Sequence, residues 1–495
     1  MDTPVLPSVT GFLARTHGLF IDGKFRPAAD GGTFPVLDPA TGRELCTVSA
    51  GTETDVDEAV AAARAALPVW QAMAPADRAD LLWRLGEALS ERAAEFGQLE
   101  SLDNGKPIGE SAELDVPLCA SLFKYYAGWV TKLDGETINP ANGMPLHVYT
   151  KREPVGVVGA IIPWNFPLLM CGYKLGPALA AGNTVVLKPA EQTPLSALRL
   201  AELMAELGFP AGVVNVVTGD GPGAGAPLAA HPDVDKITFT GENGTGQKII
   251  AASAGNMKRL SLELGGKSPS LVFDDADLDA AVEGTFGAVY FNQGQCCIAG
   301  ARVFVQSGLY DEFVARLAER VRQVRLGNGL AEGTTMGPLV SAEQRQRVTE
   351  LIRSGVEEGA TAVVGGGEVA DPALADGFYV PPTLFTGVRR DMRIMREEIF
   401  GPVAMVSRFD TEDEAIALAN DTAFGLASGI WTRDVKRAHR VAAAIKAGVV
   451  WVNTYGMFDV AVPYGGFKAS GYGKELGREA LDPYLQTKTV WVEVA

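Results

Sequence analysis

Residues 291–300 read FNQGQCCIAG and hold two of the chain's five cysteines side by side. A thiolate is a strong nucleophile, and its pKa falls at a helix N-terminus or beside cations. Glycine and alanine around the pair would let a carbonyl approach, although two buried structural thiols would read the same. Adjacent cysteines do not bridge easily, and neither has a metal-like partner at short spacing. Upstream, LSLELGGKSP (260–269) sets Glu263 at the end of an apolar stretch against two glycines. A carboxylate buried there is costly unless paired or used, and burial lifts its pKa toward that of a general base. The alternative is an ordinary end-of-strand acid. In IIPWNFP (161–167) prolines on both sides fix the backbone around Asn165. Its amide is then a rigid donor suited to an oxyanion, or simply a turn asparagine.

Two further stretches suit an anionic cofactor. In VVLKPAEQTP (185–194), Lys188 and Glu191 lie just past a strand end, where lysine and carboxylate together could read a ribose. In FTGENGTG (239–246), glycines 241, 244 and 246 open a helix whose free N–H groups could meet a pyrophosphate. The spacing is not G-x-G-x-x-G, so the pattern alone carries little weight. The four histidines (17, 147, 231 and 439) stand beside none of these motifs, which disfavours a Cys-His mechanism and a metal site. What remains is a cysteine nucleophile, a carboxylate base and an amide donor. That set fits attack on an aldehyde, hydride departure to a nicotinamide, and hydrolysis of the resulting thioester.

The elements that must position these residues alternate regularly. VGVVGAII (155–162), NTVVLKP (183–189), VVNVVTG (213–219) and KITFTG (236–241) read as buried strands. The helices 168–182 and 196–208 lie between the first three, and shorter helices follow the later strands. Such alternation predicts a parallel, doubly wound sheet covered on both faces, with ligands beyond the carboxyl ends of its strands. The pattern resumes with strand 270–275, helix 278–293, strand 302–306 and helix 309–325, which predicts a second α/β domain over about 266–465. Residues 134–152 and 478–495 alternate like strands but belong to neither sheet by order, and such strands often pair with another subunit.

A chain of 495 residues suggests two or three domains, and 47% hydrophobic with 21% charged residues supplies large cores. The balance of 43 basic and 60 acidic residues, net −17, argues against nucleic acid or an anionic membrane as a partner. Pro154 to Tyr173 carries no charge, but Pro154, Pro163, Asn165 and Pro167 interrupt it, so a strand, turn and helix are expected rather than a span. The opening MDTPVLPSVTGFLARTHG lacks the apolar core of a secretory signal. Five cysteines, two of them adjacent, form no disulfide framework. The cytoplasm is the expected setting.

Taken in order, PWNFP, KPAEQTP, FTG, LELGGKSP, FNQGQCC and EEIFGPV (397–403) resemble the aldehyde dehydrogenase superfamily. The likeness runs from IDGKF near residue 21 to PYGGFKASGYGKELG (463–477). The resemblance implies a Rossmann-type NAD-binding domain (1–133 and 153–265), an α/β catalytic domain (266–465) and an arm (134–152 and 478–495) that makes homodimers or homotetramers. In the family pattern G-Q-x-C one residue separates the glutamine from the nucleophile, which makes Cys297 the nucleophile and Cys296 a pocket-wall residue. Glu263 matches the base for the deacylating water, and Asn165 with the Cys297 N–H matches the oxyanion hole. Lys188 and Glu191 match adenosine-ribose contacts; Glu398 and Phe400 match the nicotinamide-ribose side. Ile161, Pro163, Trp164, Gly221, Phe239, Gly241, Glu242, Thr245 and Leu264 fall at further cofactor-lining positions.

The resemblance also narrows the reaction. The CoA-acylating branch lacks the base at Glu263, so hydrolysis to a free acid is favoured. Glu191 would repel a 2′-phosphate, so NAD is favoured over NADP. Glu242 departs from the small hydroxyl residue common after FTG, and its carboxylate should weaken cofactor binding unless it turns to solvent or meets Lys248. Phe166, Met170, Tyr173, Phe291, Cys296, Ile298, Phe458 and Tyr464 would line the substrate tunnel. That wall is mostly apolar and aromatic, without a cation for a substrate carboxylate. FLARTHGLFIDGKF and ESLDNGKP (100–107) look like the phenylacetaldehyde dehydrogenase branch. An arylacetaldehyde or medium-chain apolar aldehyde is therefore expected. Betaine aldehyde is the rival, since aromatic faces also hold a quaternary ammonium. An inactive family member used for binding is the reading from another class; the intact set Cys297, Glu263 and Asn165 speaks against it.

Overall fold

The computed structural model describes residues 3–494; the outermost residues of the first and last predicted segments (1, 2 and 495) lie outside them. VVGAI (Val157–Ile161) is apolar on both faces and wholly buried, as a central parallel strand must be. The chain then turns through Pro163-Trp164-Asn165 into helix Pro167–Ala180, which starts on proline and has every residue buried. Strands Thr184–Lys188 and Val214–Val216 extend the sheet on one side; Lys236–Thr240 and Arg259–Glu263 extend it on the other. All five run parallel. The strand order thus reverses between Val157–Ile161 and Lys236–Thr240, which opens a crevice at their carboxyl ends. Leu19–Ile21 and Lys24–Arg26 complete one edge, and Gly471–Tyr472 pairs antiparallel with Arg259–Glu263 at the other.

A second sheet of seven strands runs Thr361–Val364, Thr383–Thr386, Val403–Phe409, Arg302–Gln306, Pro269–Val272, Ala427–Trp431 and Val449–Val452. It is parallel except at its first strand. A third, antiparallel sheet joins Leu485–Glu493, Leu146–Pro154 and Thr137–Ile138. Residues 478–484, expected as strand, are instead tight helical turns with Pro483 among them, since proline cannot donate to a ladder. Among the described residues no helix is long and apolar enough to cross a membrane.

The helix expected over 278–293 ends at Tyr290. Asn292 and Gln293 take left-handed backbone (φ 47° and 58°), which an α-helix cannot accommodate. The helical periodicity of the sequence runs straight through this break because Phe291 stays half-buried. The break is what turns the chain toward the two cysteines.

Candidate active site

The two large sheets face each other by the ends of their strands, and by opposite ends. The first presents the carboxyl ends of its strands, followed by Asn165, Lys188, Gly241 and Leu264. The second presents its amino ends: Gly266 precedes Pro269–Val272, Cys297 precedes Arg302–Gln306, and Glu398 and Phe400 precede Val403–Phe409. Cys297 therefore approaches the crevice from the far side. Hydrogen bonds stitch the seam. Asn165 Nδ2 donates to the Gln295 carbonyl at 2.9 Å, and Asn292 Nδ2 donates to the Asn165 carbonyl at 2.8 Å. Glu110 Oε2 accepts the Asn292 N–H at 3.1 Å and so holds the left-handed turn. A Cβ on Gly266 would stand 2.2 Å from the Cys297 carbonyl oxygen, so only glycine lets the strands close this far.

Cys297 is the one thiol of the five that is not fully buried. Its Sγ lies 3.3 Å from the Tyr464 hydroxyl. A hydrogen bond from Cys296 lowers its pKa and Tyr464 adds to this, while burial opposes both; the same Cys296 bond, with burial, pushes the Cys296 thiol up. The pair is thus divided into one ionisable sulfur and one protonated neighbour.

Glu263 ends its strand 4% exposed, and neither carboxyl oxygen has a hydrogen-bond partner among the described residues. Burial raises its pKa well above the usual range, and the nearby Glu475 carboxylate raises it further. Glu475 itself pairs with Lys174, which is fully buried. Gly465, with left-handed φ of 152°, lies so close that a Cβ would stand 2.7 Å from Glu263 Oε1. An unpartnered carboxylate buried against backbone suits a base that engages a transient water.

The cofactor-side residues gather along the same seam. Lys188 Nζ and Glu191 Oε2 are 3.1 Å apart, the lysine buried and the carboxylate part-exposed. Helix Asn243–Ala252 points its free N–H groups past Glu242, which offers no side-chain cap. No atom comes within 4 Å of a Cβ built on Gly221 or Gly244. Unpaired N–H donors beside open space fit a pyrophosphate. Glu398 Oε1 accepts the Gly266 N–H at 2.8 Å, and burial raises its pKa to about 7. Phe400, also left-handed (φ 56°), meets Trp164 edge-on at 5.2 Å. Ile161, Phe239 and Leu264 are buried in one core cluster and form the floor beneath these groups. Pro163 is half-buried; Gly221 and Thr245 are exposed. Glu242 does not meet Lys248: its side chain, 75% exposed, stands 3.6 Å from Arg347. That helix Ala342–Glu357 would lie opposite is a tertiary fact with no local trace.

A family model described as the aldehyde dehydrogenase family matches residues 25–490. The chain belongs to the aldehyde dehydrogenase family. It is 46% identical to aldehyde dehydrogenase 1A1 of Homo sapiens over 499 residues, covering 100% of this chain and 98% of that protein. An aldehyde dehydrogenase from Bacillus cereus, solved as its NAD+ complex, superposes with TM-score 0.97 at 47% identity over 100% of both chains. Betaine aldehyde dehydrogenase of Staphylococcus aureus, in complex with NAD+, gives 0.96 at 39%, covering 98% of this chain and 97% of that one.

In this aldehyde dehydrogenase the predicted tunnel residues share one apolar cluster. Phe166, Met170, Tyr173, Cys296, Ile298 and Tyr464 are buried in it; Phe291, Cys297 and Phe458 pack on it. Phe166 and Phe291 stack at 6.0 Å, and Phe458 meets Tyr464 edge-on at 5.6 Å. Three groups of the site escape sequence reasoning. Trp451, 5.9 Å from Phe458, extends the aromatic wall. Tyr455 donates to the Ile298 carbonyl at 2.6 Å. The Lys174–Glu475 pair stands behind Glu263, and a lone lysine in an otherwise apolar helix was its available signal. Behind Phe166, Lys106 lies 4.3 Å from the ring centroid and is neutralised by Glu100 (2.9 Å) and Asp115 (2.6 Å).

Proposed function

We propose that this enzyme oxidises an apolar or aromatic aldehyde, such as phenylacetaldehyde, to the free acid with NAD as hydride acceptor. The observation that carries the reading is a partly exposed thiol with a lowered pKa, set in an apolar aromatic wall beside a buried, unpartnered carboxylate. Cys297 adds to the carbonyl carbon. The Asn165 amide and the Cys297 N–H receive the developing oxyanion. Bound NAD supplies the acceptor for the hydride that leaves the thiohemiacetal carbon. Glu263 takes a proton from water, which attacks the thioester; the acid departs and the sulfur regains its pair. The Lys188–Glu191 pair supports a ribose with a free 2′-hydroxyl, hence NAD over NADP.

The betaine aldehyde reading is less well supported. A quaternary ammonium needs aromatic faces free of other cations, and Phe166 already has Lys106 over its ring. Exposed Ile138, Trp491 and Val492 on the three-stranded sheet support self-association as a homodimer or homotetramer. Five unpaired thiols support a reducing compartment such as the cytoplasm. The test is NADH formation with phenylacetaldehyde, hexanal, betaine aldehyde and succinic semialdehyde, with Cys297→Ala as control. Turnover confined to the first two and lost in the variant is expected. Preference for either of the others overturns the substrate assignment.

A further inference from the structure

Tyr464 differs from the other buried and half-buried tyrosines whose hydroxyls are bonded. Tyr126, Tyr290, Tyr310 and Tyr455 donate to backbone carbonyls of Gly477, Thr383, Val406 and Ile298, at 3.1, 2.9, 3.4 and 2.6 Å. The Tyr464 oxygen instead stands 3.3 Å from Cys297 Sγ and has no other hydrogen-bond partner among the described residues. The residue is 7% exposed, and a hydroxyl in an apolar wall costs free energy unless it is used. Its placement is over-determined. Tyr464 and Glu475 exchange backbone hydrogen bonds at 2.6 and 2.7 Å, and Phe458 braces the ring edge-on. The next residue, Gly465, abuts Glu263. One short segment therefore touches both the nucleophile and the base.

We propose that Tyr464 is a further catalytic residue, whose hydroxyl donates to the Cys297 sulfur whenever that sulfur is anionic, both as nucleophile and as leaving group. The inference rests on the dehydrogenase reading above. In the addition step the sulfur lone pair forms the S–C bond and the C=O π pair moves to oxygen; the phenol proton stays on Tyr464. The sulfur is then a neutral thioether, a weak acceptor, and the hydrogen bond slackens. In deacylation the C–S bond breaks, its electron pair returns to sulfur, and the same O–H meets the thiolate as it forms. Charge-assisted donors of this kind are the strong ones. The titratable groups facing Cys297 are Cys296, Glu263, Glu398, Tyr173, Tyr455 and Tyr464. Of these, Cys296 and Tyr464 favour the thiolate, while the two carboxylates oppose it when ionised.

The experiment is the pH dependence of Cys297 alkylation by iodoacetamide in the full chain, without aldehyde or cofactor. This readout does not need turnover, so it stands or falls separately from the substrate assignment. Cys297→Ala, which should take up no label at the partly exposed site, identifies the reacting sulfur. Tyr464→Phe deletes only the hydroxyl; its midpoint should rise by about one pH unit, leaving about tenfold less thiolate below the midpoint. Tyr464→3-fluorotyrosine, a more acidic phenol and stronger donor, should move the midpoint down. An unchanged midpoint in folded Tyr464→Phe overturns the proposal. If that variant does not fold, the fluorotyrosine protein decides, and absence of a downward shift overturns it.

Discussion

Replacing Asn165 by alanine removes one amide and leaves most of its surroundings in place, so the effects on folding and on catalysis separate. The amide is 4% exposed and gives one N–H to the Gln295 carbonyl at 2.9 Å, which leaves the second for a developing oxyanion. The Gln295 carbonyl keeps a second donor, Asn292 Nδ2 at 3.3 Å, and that same amide still holds the residue-165 carbonyl. The fold thus loses one net hydrogen bond, about 1 kcal/mol, and gains a small void. A melting shift of a few degrees at most follows for so long a chain. The transition state loses an oxyanion donor, which costs roughly a factor of 10²–10³ in kcat, or about 2.7–4 kcal/mol. KM should move little, because the ground-state carbonyl carries little charge. The iodoacetamide rate of Cys297 should stay within about twofold, since the sulfur's own donors, Cys296 and Tyr464, are untouched. Steady-state NADH formation and alkylation, measured on the same preparation, test both halves. A kcat within tenfold of the parent in a folded protein refutes the oxyanion assignment.

Cys297→Ala should abolish dehydrogenase activity while Cys296→Ala retains it with a shifted thiol pH profile; the reverse pattern in an NADH assay reassigns the nucleophile. Glu263→Gln should keep the first-turnover release of NADH but lose steady turnover, as rapid-mixing kinetics would register. In the parent, the rate should rise as pH passes through the raised pKa of Glu263, because only the ionised form is a base. The same shift sets stability: the folded state favours the protonated acid, so stability falls as pH climbs from the ordinary glutamate value of about 4.3 through the raised folded value. Glu263→Gln should therefore melt above the parent at alkaline pH, with the gap closing on acidification. Arg347→Ala should weaken NAD binding about two- to fivefold at low salt by unmasking Glu242, and adding Glu242→Ser should restore it. Calorimetric titration of all three variants checks the cycle, and Glu242→Ser alone should change little.

The parts of the site legible in sequence are those whose chemistry is local. Glu263 is readable because an acid closes an apolar run before two glycines, and Asn165 because prolines bracket it. Cys297 needed the family pattern, since spacing alone left either cysteine open. What escaped depends on distance along the chain. Lys174 and Glu475 are 301 residues apart and meet only because Gly471–Tyr472 returns to the first sheet. Glu242 suggested Lys248 by helical proximity, but finds Arg347 on helix Ala342–Glu357 instead. The break after Tyr290 was hidden because Asn292 is held in left-handed backbone by Glu110 and Asn165, which no local propensity records. Alternation located the strands and both sheets; it could not reveal that the second sheet meets the first with its amino ends.

That late return of the chain has a consequence for biosynthesis. The ribosome delivers helix Pro167–Ala180 early, and domains fold amino-terminal first. Lys174, at the centre of this helix, waits for Glu475, some three hundred residues behind it. Until that residue leaves the exit tunnel the ammonium lacks its buried partner and must stay hydrated, so the helix cannot settle against its sheet in final form. Tyr464 and Gly465 arrive in the same last stretch. A nascent chain thus carries the Cys297 thiol without the Tyr464 hydroxyl beside it, and Cys297, Tyr464 and Glu263 come together in one closing event, only after residue 475 has been made.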